Sequence, residues 1–138
     1  MKNVRGYNFS RSFMGERVPQ HVQNIVIKDF CTKNNLNFLL SATEYSMKNS
    51  SYILSELITD LDNLHGIVAY SVFQMPEENK KRKEYLKKIL NKKKKIYFAC
   101  ENLKVTNNIE MKEIDTIWNI RKNMKKFNIN EIYKKKNK

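Results

Sequence analysis

The sequence predicts an α/β fold, a small doubly wound three-layer sandwich around a four-stranded, mainly parallel sheet. Three observations carry this expectation. Short apolar runs alternate with stretches of helical periodicity in the order β-α-β-α-β-α-β-α, which is how parallel strands joined by helical crossovers read. The run IVAYSVF, residues 67–73, is nearly apolar throughout, as a strand covered on both faces must be. At 138 residues with 41% hydrophobic content, the chain has the length of one domain and enough apolar residues for an ordinary core.

The elements follow in order. Residues 4–9 form a first strand with Val4, Tyr7 and Phe9 as its bulk. A polar loop spans residues 10–18, and Pro19 opens a helix, where its missing N–H costs nothing. Val22, Ile25, Val26 and Phe30 recur at i, i+3, i+4 and i+8, which predicts the buried stripe of that helix. Residues 36–41, LNFLLS, make a second strand. Ser50 or Ser51 caps a second helix, whose inward positions are Ile53 or Leu54, Leu57, Ile58 and Leu61. The third strand at 67–73 leads to a helix over about 77–90, with Tyr85, Leu86, Ile89 and Leu90 facing in. Residues 96–100 form the fourth strand, and a last helix covers about 110–124, with Trp118 in the core or at a subunit contact. One domain over residues 1–126 and a flexible basic tail over 127–138 complete the organisation. The expected strand order is 2-1-3-4, which puts the crevice for a ligand beside the carboxyl end of the first strand.

Charge is unevenly distributed. The net charge is +13, of which residues 1–76 carry +1 and residues 77–138 carry +12. Such a block suits nucleic acid, a membrane surface or an acidic partner. It also matches a chain rich in Lys, Asn and Ile throughout, as AT-rich genomes encode. The runs KKRKEYLKK and NKKKK read as the outer face of a helix, without the interleaved aromatics that single-strand binders use. No apolar run is long enough to span a membrane, and MKNVRGY lacks the apolar core of a signal peptide, so a cytoplasmic protein is expected. Cys31 and Cys100 have no metal-ligand spacing and are expected as buried free thiols.

Polar residues gather at the expected strand ends. Ser10 and Arg11 follow the first strand, Ser41, Glu44 and Tyr45 the second, Phe73 and Gln74 the third, and Glu101 the fourth. Arg11 and Arg17, with the helix opening at Pro19, suit a phosphate or carboxylate. Gln20 and Gln23 on the opening turn, with Ser41, Tyr45, Phe73 and Gln74, complete a candidate substrate-binding set. Ser10 is a candidate nucleophile, His21 a candidate neutral base, and Glu44 and Glu101 a candidate carboxylate pair. The loop lacks the Walker lysine and the GxGxxG spacing, so neither ATP nor NAD is indicated. No cofactor and no metal are called for.

Two resemblances add expectations. The runs RGYNFSRSFMGERVPQHVQN, LLSATEYSM, GIVAYSVFQMP and YFACENL resemble the sporadic carbohydrate cluster proteins, small bacterial proteins of surface-polysaccharide gene clusters. That resemblance implies a setting in capsule or O-antigen synthesis and supplies no catalytic residues. Joined to the polar strand ends, it leads to the expectation of a small enzyme acting on a sugar phosphate or nucleotide sugar by cofactor-independent acid–base chemistry. Its alternative is a non-catalytic accessory subunit of a sugar-modifying enzyme. On this reading the partners are a phosphorylated sugar or nucleotide sugar and other enzymes of the pathway, and nucleic acid is the least favoured partner. A second copy of the chain is expected on separate grounds, since a four-stranded sheet leaves edge strands to pair, through an edge or through the Trp118 helix. The layout of a strand ending in Ser10, a Gln-bearing helix and then IVAYSVFQMP is also similar to the catalytic domain of serine recombinases. In that family the serine attacks DNA and arginines hold the scissile phosphate, which maps the nucleophile onto Ser10. Asn8 stands where that family has an arginine, and Phe73-Gln74-Met75-Pro76 replaces its arginine-bearing signature. The resemblance therefore implies a resolvase-like or flavodoxin-like fold rather than strand exchange.

Overall fold

The computed structural model describes residues 1–136, with side chains through Met124. The elements are β1 (Asn3–Phe9), α1 (Gln20–Lys33), β2 (Asn37–Glu44), α2 (Tyr52–Thr59), β3 (Gly66–Ala69), α3 (Asn79–Asn91), β4 (Lys95–Phe98), β5 (Leu103–Val105) and α4 (Asn108–Lys136). Single 3-10 turns at Leu61–Asn63 and Val72–Gln74 flank β3. The sheet order is β2-β1-β3-β4-β5. β1 to β4 are parallel, and β5 pairs antiparallel with β4.

The expected order 2-1-3-4 is present, but the sheet has five strands and one antiparallel pair. β5 is a three-residue return strand, too short to show alternation. It follows a tight reversal over residues 99–102, where Asn102 takes a left-handed conformation at φ 54°. β3 ends at Ala69, earlier than the apolar run suggests, because residues 72–74 coil into the 3-10 turn.

Alternation along β1 assigns its two faces. Tyr7 and Phe9 point into a large core with α2, α3 and α4, built on Leu54, Ile67, Leu86, Phe98, Ile114 and Trp118. Val4 points to a smaller core with α1, formed with Ile27, Phe30, Cys31, Leu36 and Val68. Three helices thus cover one face and one helix the other, a lopsided three-layer sandwich. Inside the smaller core burial pushes the Cys31 thiol up to about 11, so it is an inert filler. Cys100 is exposed, against the expectation that both thiols are buried.

α1 corrects a second expectation. Ile25 is 63% exposed, and the residues it buries are Gln23, Ile27, Phe30 and Cys31. The buried stripe is rotated by about one position because Gln23 hydrogen-bonds the backbone of β1 and draws its own edge of the helix inward. α4 runs through Lys136, beyond the expected end at residue 124. Side chains past Met124 and residues 137–138 lie outside the described residues, and with them the expectation of a flexible tail.

Arg82 holds the α3–α4 side together. It is fully buried, and all five guanidinium N–H groups have acceptors. Nε and Nη2 donate to Asp115 at 3.2 and 3.1 Å, Nη1 to the Pro76 and Glu77 carbonyls at 3.0 and 3.2 Å, and Nη2 also to Asn79 Oδ1 at 2.6 Å. Its Cζ lies 5.0 Å from the centroid of the Trp118 ring. Burial draws its pKa down, and the Asp115 carboxylate opposes that. A lysine offers three donors and no fork. Arg82→Lys is therefore expected to lower unfolding stability by about 3 kcal/mol, measured by urea denaturation. A loss below about 0.5 kcal/mol refutes this account of the α3–α4 contact.

Candidate functional site

The parallel register brings the carboxyl ends of β1 to β4 to one edge of the sheet, and the polar residues there do converge. Most of them converge on one another. Glu44, at the end of β2, is 1% exposed and accepts five hydrogen bonds. Tyr7 OH reaches Oε1 at 2.8 Å, and Ser50 Oγ and the Tyr45 N–H reach Oε2 at 3.0 Å each. The Ile53 and Leu54 N–H groups of α2 donate at 3.1 and 3.2 Å. Burial pushes the carboxyl pKa up, but the donors at Ile53, Tyr7, Leu54 and Tyr45 outweigh it and hold the pKa below the ordinary glutamate value. The same arrangement pushes the Tyr7 phenol well up, first by burial and then by the adjacent carboxylate. Glu44 is thus a fixed anion and a remote cap for α2.

Glu101 is engaged in the same way. It accepts from Ser71 Oγ at 2.7 Å and from the Val72 N–H at 2.8 Å, which pins the turn after β3 to the turn after β4. Glu44 and Glu101 therefore bind different turns and form no carboxylate pair. Ser10 Oγ donates to the Glu44 carbonyl at 3.2 Å, with no titratable side chain on it. Ser41 Oγ donates to Asn24 Oδ1. His21, Arg17 and Gln20 are exposed around the start of α1. Tyr45 is exposed and stacks on Tyr52, with centroids 5.9 Å apart.

Gln23, Gln74 and Arg11 are the site residues whose bonds shape the cleft. Gln23 Oε1 accepts from the Phe9 N–H at 3.0 Å, and its Nε2 donates to the Phe9 and Val18 carbonyls at 2.8 Å each. Gln74 Nε2 donates to Gln23 Oε1 at 2.8 Å. Arg11 lies 4.0 Å over the Phe9 ring and donates to the Tyr45 and Ser50 carbonyls at 2.9 and 3.0 Å. That leaves its charge unpaired by any carboxylate among the described residues.

Beside these groups lies a cavity of about 790 Å³, between the loop after β1, the loop before α2, the turn after β3 and one face of α4. Arg11, Phe73 and Gln74 line it, as the sequence reading expected of a ligand site, and Ser10, Glu44, Glu101, His21 and Arg17 do not. Lys48, Lys81, Lys122 and Trp118 also line it and were not singled out for binding. Three separate segments supply those lysines, so spacing gives no signal; Lys81 alone sits in a basic run. Lys122 Nζ donates to the Glu77 carbonyl at 2.9 Å. Glu77 and Glu78 lie on the same rim and offset part of the cationic field. Among the described residues no cluster of His, Cys, Asp and Glu has the arrangement to hold a metal ion.

No protein-family model matches this sequence, and no curated protein matches it. Solved structures do match. A resolvase family site-specific recombinase from Streptococcus pneumoniae superposes with a TM-score of 0.61 at 10% identity, over 98% of this chain and 99% of that one. The N-terminal catalytic domain of TP901-1 integrase superposes with a TM-score of 0.59 at 10% identity, over 88% of this chain and 96% of that one. The fold resembles that of resolvase catalytic domains.

That finding overturns the expectation of capsule or O-antigen biosynthesis. The structural neighbours are a recombinase and an integrase domain, and the sporadic carbohydrate cluster resemblance finds no support in a family match. The carboxylates assigned to acid–base work on a sugar are engaged in holding backbone N–H groups. The expected sugar phosphate, nucleotide sugar and pathway-enzyme partners fall with that reading, and so does the low rank given to nucleic acid.

Glu44 supplies a test by pH. Its folded pKa lies below the unfolded value of about 4.3, so its stabilisation is complete above about pH 5 and is lost as pH falls through the folded pKa. Glu44→Gln is expected to destabilise the protein by about 2–4 kcal/mol at neutral pH, since an amide NH₂ then meets backbone donors. The variant is also expected to flatten the acid limb of stability against pH, followed by urea melts at several pH values. An unchanged acid limb shows that Glu44 is not the group responsible.

Proposed function

We propose that this chain is a nucleic-acid-binding protein, which uses a resolvase-like domain to hold a strand rather than to cut it. The observation that carries the reading is the rim of Arg11, Lys48, Lys81 and Lys122 around one cleft at the strand ends, on a chain of net charge +13. Each cation that neutralises a phosphate releases condensed counterions, and this drives binding without reading sequence. The similarity to a site-specific recombinase and an integrase catalytic domain favours DNA or RNA over other polyanions.

Binding without cleavage follows from the state of the polar groups. A serine nucleophile needs a base or another activator beside it. Among the described residues, Ser10 Oγ donates to the Glu44 carbonyl alone, and the Glu44 carboxylate is itself engaged. Asn8, in place of an arginine, donates to Asn24 and accepts from Thr43, and so holds β1 to α1 and β2. A cytoplasmic setting belongs to the same proposal. Among the described residues, no helix is long and apolar enough to cross a membrane.

Fluorescence anisotropy with a labelled oligonucleotide tests the reading. Affinity is expected to fall linearly with the logarithm of salt concentration, and Lys48→Ala, Lys81→Ala and Lys122→Ala are each expected to reduce the slope by about 1. Ser10→Ala is expected to bind as the parent does, and no covalent protein–DNA adduct forms with the parent protein. A salt-independent response, or no binding at low salt, removes the proposal.

A further inference from the structure

Two large rings stand in solvent beside the cationic cleft. Tyr45, just past β2, is 49% exposed, and Tyr52, the first residue of α2, is 57% exposed. The rings stack on each other, with centroids 5.9 Å apart and 25° between their planes. Among residues 1–124, whose side chains are described, every other aromatic ring is buried or half-buried. The exposed aromatic surface of the described residues is therefore gathered in one place. Lys48 lies on the same short segment, and Lys48, Ser46 and Arg11 line the cleft. The segment that carries the rings thus carries part of the rim.

The pair is held from behind. The Tyr45 N–H donates to Glu44 Oε2 at 3.0 Å, and the Tyr45 carbonyl accepts from Arg11 Nη1 at 2.9 Å. Tyr52 precedes Ile53 and Leu54, whose N–H groups end on the same Glu44 carboxylate. The backbone under both rings is fixed by the fold, while the rings themselves stay in solvent. Aromatic surface positioned in advance loses little freedom when a ligand covers it. The Glu56 carboxylate hydrogen-bonds the Tyr52 phenol and pushes its pKa up. That contact takes the hydroxyl edge of the ring and not its face.

Exposed rings next to cations fit a flat ring joined to a phosphate. Every nucleobase has a π-face, and in a duplex that face is taken by the neighbouring base pairs. Resting on the nucleic-acid reading, we infer that the Tyr45–Tyr52 pair is a stacking platform for an unpaired base of a single strand, whose phosphates lie on Arg11 and Lys48 at the adjoining rim. A duplex reaches the rim cations only. The preferred ligand is therefore a single strand, with little preference among bases.

The test compares a short single-stranded oligonucleotide with the duplex of the same sequence, by anisotropy over a range of salt concentrations. The parent protein is expected to bind the single strand at least about fivefold more tightly. Tyr45→Ala and Tyr52→Ala, folded by circular dichroism, are each expected to weaken single-strand binding at least about fivefold. Their salt slope is expected to stay at the parent value, because no phosphate contact is lost. Tyr45→Phe keeps the ring and is expected to keep the affinity. Alanine variants that bind the single strand as the parent does refute the platform and leave salt-dependent binding standing, and so does equal parent affinity for the two forms. A reduced salt slope in the alanine variants assigns their loss to the rim and refutes stacking. A Tyr45→Phe chain as weak as Tyr45→Ala refutes it too, since only the hydroxyl is gone. Absence of binding to either form overturns both readings.

Discussion

The buried carboxylate of Glu44 is the constraint on which the candidate site depends. It ends β2, yet its bonds reach β1 through Tyr7, the following loop through Tyr45 and Ser50, and α2 through Ile53 and Leu54. α2 has no acidic residue in its first turn, and Ser51 makes no capping bond with its side chain. Without Glu44 the helix would begin with orphan N–H groups against a buried face. One anion therefore caps the helix, closes the loop over residues 45–51 and fixes the carbonyls of Tyr45 and Ser50. Those carbonyls hold Arg11. The position of a cation on the cleft is thus set by an anion that does not line the cleft.

The opposite wall is built on the mirror principle. Arg82 is a buried cation whose donors all end on the residues 76–79 turn, α3 and Asp115 of α4. It holds Trp118 and the Glu77 backbone in place, and the Glu77 carbonyl receives Lys122. Each wall therefore contains one charge that is fully hydrogen-bonded, and each presents further charges that are not. Burying an ion is tolerable only when its bonds are complete. That completeness is why neither Glu44 nor Arg82 is free to react.

Much of this was legible in the sequence. Alternating runs indicated the four parallel strands and their order, and the spacing of Ile53 or Leu54, Leu57 and Ile58 indicated the buried face of α2. The convergence of polar residues at the strand ends was visible as well. The parts that were not legible share one physical cause: the partner of a polar group is set by tertiary geometry. Gln23 looks like a surface residue, and only the free backbone of Phe9 makes it more buried than Ile25. Glu44 and Glu101 look like reagents until the N–H groups around them are located. Arg82 is one of several basic residues in a run and differs from its neighbours only in facing inward. Lys48, Lys81 and Lys122 are separated along the chain, in the loop before α2, the first turn of α3 and the middle of α4, and meet only through the tertiary fold. β5 fails for a simpler reason, since three residues cannot show a period.

These assignments bear on what the cleft can do. Bond-making needs an acid, a base or a nucleophile with unused capacity, and the two glutamates at the strand ends spend theirs on backbone N–H groups. What the cleft presents is a set of rim cations, Arg11, Lys48, Lys81 and Lys122. Positive charge attracts a polyanion over a distance. The nucleic-acid proposal accordingly rests on recognition by the rim cations. The rim supplies affinity that salt can screen.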